Sequence, residues 1–301
     1  MELVDLTKAH GHVRSLSSQI FLARHDEGPY SKAPTTKPTI VLVHGAWHGS
    51  WCWKYQIPPL ETLGYAVETL DLPSSGNMGM TQFDDAAHVR AVVETLTSAG
   101  KRVIVLAHSY AGPIGSAAIK GLADEGVLGM IALVAYIYPG NMDVAAHIRK
   151  IGGLPFIVWD TPSPGLFLAT DARTRFFAPD TPEDRIDWAL ANLRPQSMAA
   201  NTGITPPEAW QDDSFDGRLG YIRCTADQVL STADQVLSTA GQVLSLARQD
   251  EMITAAGGEG KWVVRTLEGS GHNPPLSRPD EVAAAVHEIV NEFEASSDRG
   301  K

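Results

Sequence analysis

Apolar and polar positions along this chain alternate between two regimes. Near-continuous β-branched runs occur at 39–43 (TIVLV), 102–107 (RVIVLA) and 129–137, as expected of strands covered on both faces. Further strands are expected at 66–71 (AVETLD), 219–224 (LGYIRC) and 261–266 (KWVVRT). Helical spacing fills the gaps between them. Val89, Val92, Val93 and Leu96 share one helix face, with Asp84 and Asp85 able to start that helix and Gly100 able to stop it. A second helix is expected over 114–122. A last one begins near Pro279, with Val282, Val286, Ile289, Val290 and Phe293 as its buried stripe. A first strand is expected within 13–23 and a loop over 26–38. Strands alternating with helices predict an α/β protein with a mostly parallel sheet.

The regular alternation lapses after Pro139. Residues 139–213 are rich in proline, aromatics and mixed charge, with short helical pieces such as 182–193. The division expected is a core formed by 1–138 and 214–301, and an inserted cap or lid at 139–213. A second irregularity follows the 219–224 strand. The heptad TADQVLS at 225–231 recurs at 232–238 and, as TAGQVLS, at 239–245. Three short copies are too few for a solenoid or a coiled coil, and they read as a tandem duplication lengthening a loop or helix.

Composition narrows the classes of function. A chain of 301 residues with 44% hydrophobic and 20% charged positions can bury a full core. A formal net charge of −11 argues against general attraction to nucleic acid or anionic membrane. No stretch approaches the about 18 apolar residues of a membrane span, and the N-terminus lacks the pattern of a secretory signal. Two distant cysteines, Cys52 and Cys224, suggest a reducing compartment rather than a disulfide scaffold. A cytoplasmic protein is expected. No ligand cluster or phosphate loop calls for a metal or cofactor, and a homodimer is left open.

The candidate chemistry centres on Ser109, which stands directly between the 102–107 strand and a helix. A serine on such a turn projects its hydroxyl above the sheet edge, at the positive end of the following helix. The turn crowds the positions two before and two after the serine, where glycine is usual; here both are alanine, Ala107 and Ala111. A neutral hydroxyl needs a base. His272 lies in a glycine-rich loop (GSGHNPP) after the last strand, at the same predicted sheet edge. His108, though adjacent to the serine, points away at a sharp turn, and His10, His12, His25, His88, His147 and His287 read as surface or loop residues. A carboxylate must then orient the base. Asp227 follows the 219–224 strand closely; Asp234 holds the same place in the second heptad and stays an alternative. Gly45 lets the backbone turn after the 39–43 strand, so the Ala46 amide, with that of Tyr110, can form an oxyanion hole.

These segments together (VLVHGAWHGSWCW, AHSYAG, YIRCTAD and GSGHNPP) resemble the α/β-hydrolase superfamily over about residues 39–293. More narrowly, they are similar to the branch holding plant methylesterases, hydroxynitrile lyases and bacterial or fungal carboxylesterases. The stretch FFAPDTPED from Phe176, with LRPQ at 193–196, resembles the cap of esterases in that branch, pyrethroid-hydrolysing ones included. The resemblance implies an α/β-hydrolase fold and a Ser109–Asp227–His272 triad working through an acyl-enzyme. Hydroxynitrile lyases of the branch carry threonine after the oxyanion-loop histidine, glutamate before the nucleophile and lysine after the catalytic histidine. Here those positions are Gly45, His108 and Asn273, and Asn273 offers no cation to receive cyanide.

The activity expected is hydrolysis of a carboxylic ester or lactone of a small, largely apolar molecule. The alternatives are C–C bond cleavage or cyclisation of a polyketide-like compound, and a ligand receptor that keeps the pocket without the chemistry. Phe156, Trp159, Phe167, Trp188 and Trp210 are candidates for an apolar pocket, although each also fits ordinary cap packing.

Overall fold

The computed structural model describes residues 37–150, 153–154, 156–227 and 244–299. The strand expected within 13–23, nearly all of the 26–38 loop, Asp234 and most of the repeated heptads lie outside these residues.

The continuous apolar runs become the centre of a parallel sheet. Its strands are β1 (Thr39–Val43), β2 (Ala66–Thr69), β3 (Val103–His108), β4 (Val127–Leu133), β8 (Leu219–Cys224) and β9 (Trp262–Leu267). They are ordered β2-β1-β3-β4-β8-β9, with every pairing parallel. All residues of β1, β3 and β4 are buried, as strands with helices on both faces require. Side chains alternate between two cores. Val41, Val43, Val105 and Ala107 enter one, and Ile40, Leu42, Ile104 and Leu106 enter the other.

Helices α1 (Ile57–Thr62), α2 (Gln82–Ser98) and α3 (Ala111–Ile119) connect the first four strands. Asp84 does start α2, but through a capping box with Thr81 as the N-cap. The next residue, Asp85, is fully buried instead of lying on a solvated first turn. Helix α3 begins three residues earlier than its apolar spacing suggests, immediately after Tyr110. β4 ends at Leu133, short of the expected 137, because Val134 turns to a positive φ of 40°.

Between β4 and β8 the chain forms α4 (Val144–Lys150) and strands β5 (Ile157–Trp159), β6 (Leu166–Ala169) and β7 (Gln196–Ser197), with α5 (Glu183–Asn192) before β7 and α6 (Met198–Thr202) after it. These strands make a separate antiparallel sheet. After β8 come α7 (Leu246–Ala255), the short α8 (Pro274–Ser277) and α9 (Pro279–Arg299). The expected stripe of α9 is buried: Val282, Val286, Ile289, Val290 and Phe293 are at most 1% exposed.

From β1 the chain steps to β2 on one side, then crosses to β3 on the other. That reversal leaves a crevice at the carboxyl ends of β1 and β3, the usual place for a ligand in an open α/β sheet. Val43 of β1 is level with Ala107 of β3, so the chain leaves the sheet at His44 and Ser109 side by side.

Candidate active site

Ser109 sits in the left-handed region at φ 55°, a conformation that an L-residue adopts only under constraint. The constraint comes from β4 and the turn after it: the Ser109 amide donates to Leu133 O (3.2 Å), and its carbonyl accepts from the Tyr136 amide (3.1 Å). Close packing holds the turn as well. A Cβ on Gly112 would lie 2.0 Å from Tyr136 O, and one on Gly45 would lie 2.9 Å from Ser109 Cβ. The alanine at 107 fits because Gly115 faces it one helical turn on; a Cβ there would come within 3.0 Å of Ala107 Cβ. The missing glycine of the turn is thus supplied from α3.

His272 Nε2 lies 2.9 Å from Ser109 Oγ, and His272 Nδ1 lies 2.6 Å from Asp227 Oδ2. The histidine and aspartate side chains are 4% and 1% exposed, so the pair is shielded from water. Their loops are strapped together. Ala226 N donates to Ser270 O (2.9 Å), Thr225 N to Leu267 O (3.3 Å) and Gly269 N to Thr225 Oγ1 (2.8 Å). Gln249 of α7 closes the end of β8, accepting from Cys224 N and donating to Cys224 O and Leu244 O. Asp227 is therefore held where the sheet delivers it.

Three other histidines near the site, His44, His48 and His108, are buried and neutral; His44 and His48 lie in the segment after β1. Burial lowers His44 to about 4 and His48 to about 3, and holds His108 well below the ordinary histidine range. Each ring has its protons assigned by its neighbours. His44 Nδ1 donates to Gly45 O (2.8 Å) while Nε2 accepts from Leu72 N (2.9 Å). His48 Nδ1 donates to Ala46 O (2.7 Å) while Nε2 accepts from Asn273 Nδ2 (3.0 Å). His108 Nε2 donates to the carbonyl of His272 (2.8 Å). His108 thus bonds the backbone of His272 and not the serine, and Asn273 is a donor to a neutral ring. Two histidines expected at the surface are only partly exposed. His287 Nδ1 bonds the Tyr65 hydroxyl (2.6 Å), and His147 packs against the Tyr138 ring.

Above Ser109 and His272 lies a largely enclosed cavity. Ala46 and Tyr110 border it beside the serine. Among the described residues neither amide has a hydrogen-bond acceptor within the fold. Its walls are mainly apolar, with Val144, Ile148, Phe156 and Phe176 among them; polar groups come from Gln82, Tyr136, Tyr138 and Asn201.

Of the aromatic candidates, Phe156 reaches the cavity. Phe167 backs it through an edge contact with Trp47 (5.4 Å), Trp159 packs on Phe167, Trp188 packs on Trp51, and Trp210 donates to Tyr138 O. Trp47, Phe176, Tyr136 and Tyr138 also line the cavity. Trp47 and Phe176 lie in segments that carry the family resemblance, whereas the two tyrosines are signalled only by proximity to the end of a strand. No group of acidic, histidine or cysteine side chains suited to a metal ion occurs among the described residues.

A parallel sheet with a strained serine turn at its reversal point, backed by a buried histidine and carboxylate, defines a class of α/β hydrolytic enzymes. The chain belongs to the alpha/beta hydrolase family, the match running from residue 40 to residue 285. It is 25% identical over 273 residues to methyl jasmonate esterase 1 of Vitis vinifera, covering 84% of this chain and 97% of that one. It is 27% identical over 262 residues to the probable hydrolase R7 of Phoma sp., with coverages of 85% and 99%. Among solved structures, the methylesterase MES16 from Arabidopsis superposes with a TM-score of 0.62 at 18% identity, covering 85% of this chain and 99% of that one. A pyrethroid hydrolase from Sphingobium faniae JZ-2 gives 0.62 at 23% identity, with coverages of 84% and 97%.

Proposed function

We propose that this protein is a serine carboxylic ester hydrolase with Ser109 as nucleophile, His272 as general base and Asp227 as the carboxylate that orients it. The observation carrying this reading is His272 itself, bridging Ser109 Oγ at 2.9 Å and Asp227 Oδ2 at 2.6 Å beneath the cavity. His272 takes the serine proton as Oγ attacks the ester carbonyl, and Asp227 stabilises the resulting imidazolium. The amides of Ala46 and Tyr110 receive the oxyanion. The protonated histidine then passes its proton to the leaving alcohol. Water, deprotonated by the same ring, releases the acid and frees the serine. No cofactor enters this sequence.

The apolar walls of the cavity support a small, largely apolar ester or lactone as the substrate, and residues 139–213 act as the cap that excludes water. The relationship to plant methylesterases and to methyl jasmonate esterase supports methyl esters as the first compounds to try. A panel of methyl esters, 4-nitrophenyl esters and lactones, assayed with wild type and Ser109→Ala, tests this reading. Wild type should hydrolyse members of the panel, and Ser109→Ala should lose at least about 10³-fold in kcat. A fluorophosphonate should label wild type at Ser109 and leave the variant unlabelled. Equal turnover by the two proteins would defeat the assignment, and products with a cleaved carbon–carbon bond would favour the other chemistry.

A further inference from the structure

Asp85 is a buried carboxylate that the triad does not use. It sits in the first turn of α2 at 0% exposure. Its Oδ1 accepts the Ser74 amide (2.9 Å), and its Oδ2 accepts both the Ser74 hydroxyl (2.5 Å) and the Tyr110 hydroxyl (2.7 Å). Ser74 Oγ in turn accepts Gln196 Nε2 (2.6 Å), and Gln196 Oε1 accepts the Trp47 amide (3.1 Å). The Trp47 carbonyl is held by the Arg194 amide (2.8 Å). Every donor in this chain points toward Asp85, the arrangement an acceptor-only group requires. Burial together with the Asp85 charge keeps the Tyr110 phenol well above its ordinary range, so it remains a donor.

The two ends of the network are the two places where the reaction needs precision. Tyr110 follows the serine and carries one oxyanion donor on its own backbone. Trp47 follows Ala46, the other donor, and stands at a φ of 63° that a tryptophan does not adopt unaided. Locking the Trp47 amide fixes the peptide plane next to the one bearing the Ala46 N–H. We infer that Asp85 is a positioning residue for acyl transfer, holding both oxyanion donors in register through Tyr110 on one side and through Ser74, Gln196 and Trp47 on the other. This rests on the ester hydrolase reading above. It also explains why a carboxylate is kept in a site where an apolar residue would pack at lower desolvation cost.

The test uses Asp85→Asn and Tyr110→Phe in the full chain, with 4-nitrophenyl butyrate as substrate and active serine counted by fluorophosphonate titration. In Asp85→Asn the amide nitrogen must face one of the donors, which breaks the chain. Oxyanion contacts act in the transition state, so kcat per titrated serine should fall about 10–100-fold with KM within about threefold. Tyr110→Phe, which removes one arm and leaves the core volume intact, should lose about 3–10-fold in kcat. A trifluoromethyl ketone, which forms a tetrahedral adduct, should bind each variant more weakly by a comparable factor. The matching methyl ketone should bind unchanged, a split that simple loss of stability does not produce. Both variants retaining kcat within twofold would overturn the inference, and Tyr110→Phe alone decides it if Asp85→Asn fails to fold. If wild type hydrolyses no ester, the hydrolase reading fails by itself. The anchoring is then judged by hydrogen exchange of the Trp47 amide: at least about tenfold faster exchange in Asp85→Asn supports it, and unchanged exchange removes it.

Discussion

Ser109 at φ 55° has strain imposed on it by its neighbours, and the glycines around it are where that strain can be released or increased. Gly112 is the tightest, because a Cβ would fall 2.0 Å from the Tyr136 carbonyl and force α3 away from the segment that follows β4. Gly112→Ala should lose about 1–3 kcal/mol of unfolding free energy as overpacking, together with most turnover, in paired denaturation and esterase assays. Gly45→Ala acts differently. Its Cβ would meet Ser109 Cβ at 2.9 Å and His108 Nδ1 at 3.1 Å, at the reacting centre itself. A kcat at least tenfold lower, with a smaller change in melting temperature than Gly112→Ala, is expected; the reverse ranking would show that Gly45 serves the core. For the carboxylate, Asp227→Asn should lower kcat about 10³–10⁴-fold, because the histidine loses both its orientation and its counter-charge. Asp234→Asn should leave kcat unchanged, and the pair of assays separates the two copies of the heptad.

Among the elements, the loop carrying His272 is held from outside the parallel sheet. Asp180, between β6 and α5, accepts the Gly271 amide at Oδ1 (3.1 Å) and Arg278 Nε at Oδ2 (2.7 Å). Arg278 also donates to the Glu268 and Gly269 carbonyls. A segment of the 139–213 region therefore grips the residue just before His272, and a Cβ on Gly271 would lie 2.5 Å from Ala178 O. Asp180→Ala should reduce kcat several-fold through misplacement of His272, with the fold retained. Circular dichroism and steady-state kinetics on one preparation check this. Such elements were only partly legible beforehand. Continuous apolar runs and a helix stripe are local patterns, so β1, β3, β8 and α9 can be read directly from spacing. The ends of β4 and α3 cannot: apolar residues continue past Leu133, yet Val134 turns to a positive φ of 40° that no local pattern announces. Of the pocket-lining tyrosines, Tyr136 falls in the stretch expected as strand and Tyr138 just beyond it.

Across the whole molecule, the buried histidines couple stability to pH. His44 and His48 are lowered to about 4 and about 3 by burial, against 6.5 when exposed. Below pH 6.5 the unfolded chain takes up protons that the native state refuses, so stability present above 6.5 is lost as pH falls toward 4. Each such histidine contributes up to about 1.4 kcal/mol per pH unit in that window. Urea denaturation at pH 7.5, 6.5, 5.5 and 4.5 should show midpoints flat above 6.5 and falling below it. His44→Gln should flatten the slope, and an unchanged slope would locate the acid sensitivity elsewhere. No helix among the described residues is long and apolar enough to cross a membrane.

What the sequence determined by itself was what neighbouring residues can enforce: strand runs, helix stripes, the sharp turn at Ser109 and the order Ser109, Asp227, His272. Period and local sterics act over a few positions, so they can be read without a partner. Only the tertiary structure decided which distant groups meet. It brought Asp227 to His272 across 45 positions, joined Asn273 to His48 across 225, and turned Asp85 from an apparent helix-start charge into the hub of a buried network. The physical reason is that such meetings depend on strand order and register. The crossing from β2 to β3 placed the Ala46 loop against Ser109, and the return of the chain at Gln196 gave the Trp47 amide its acceptor.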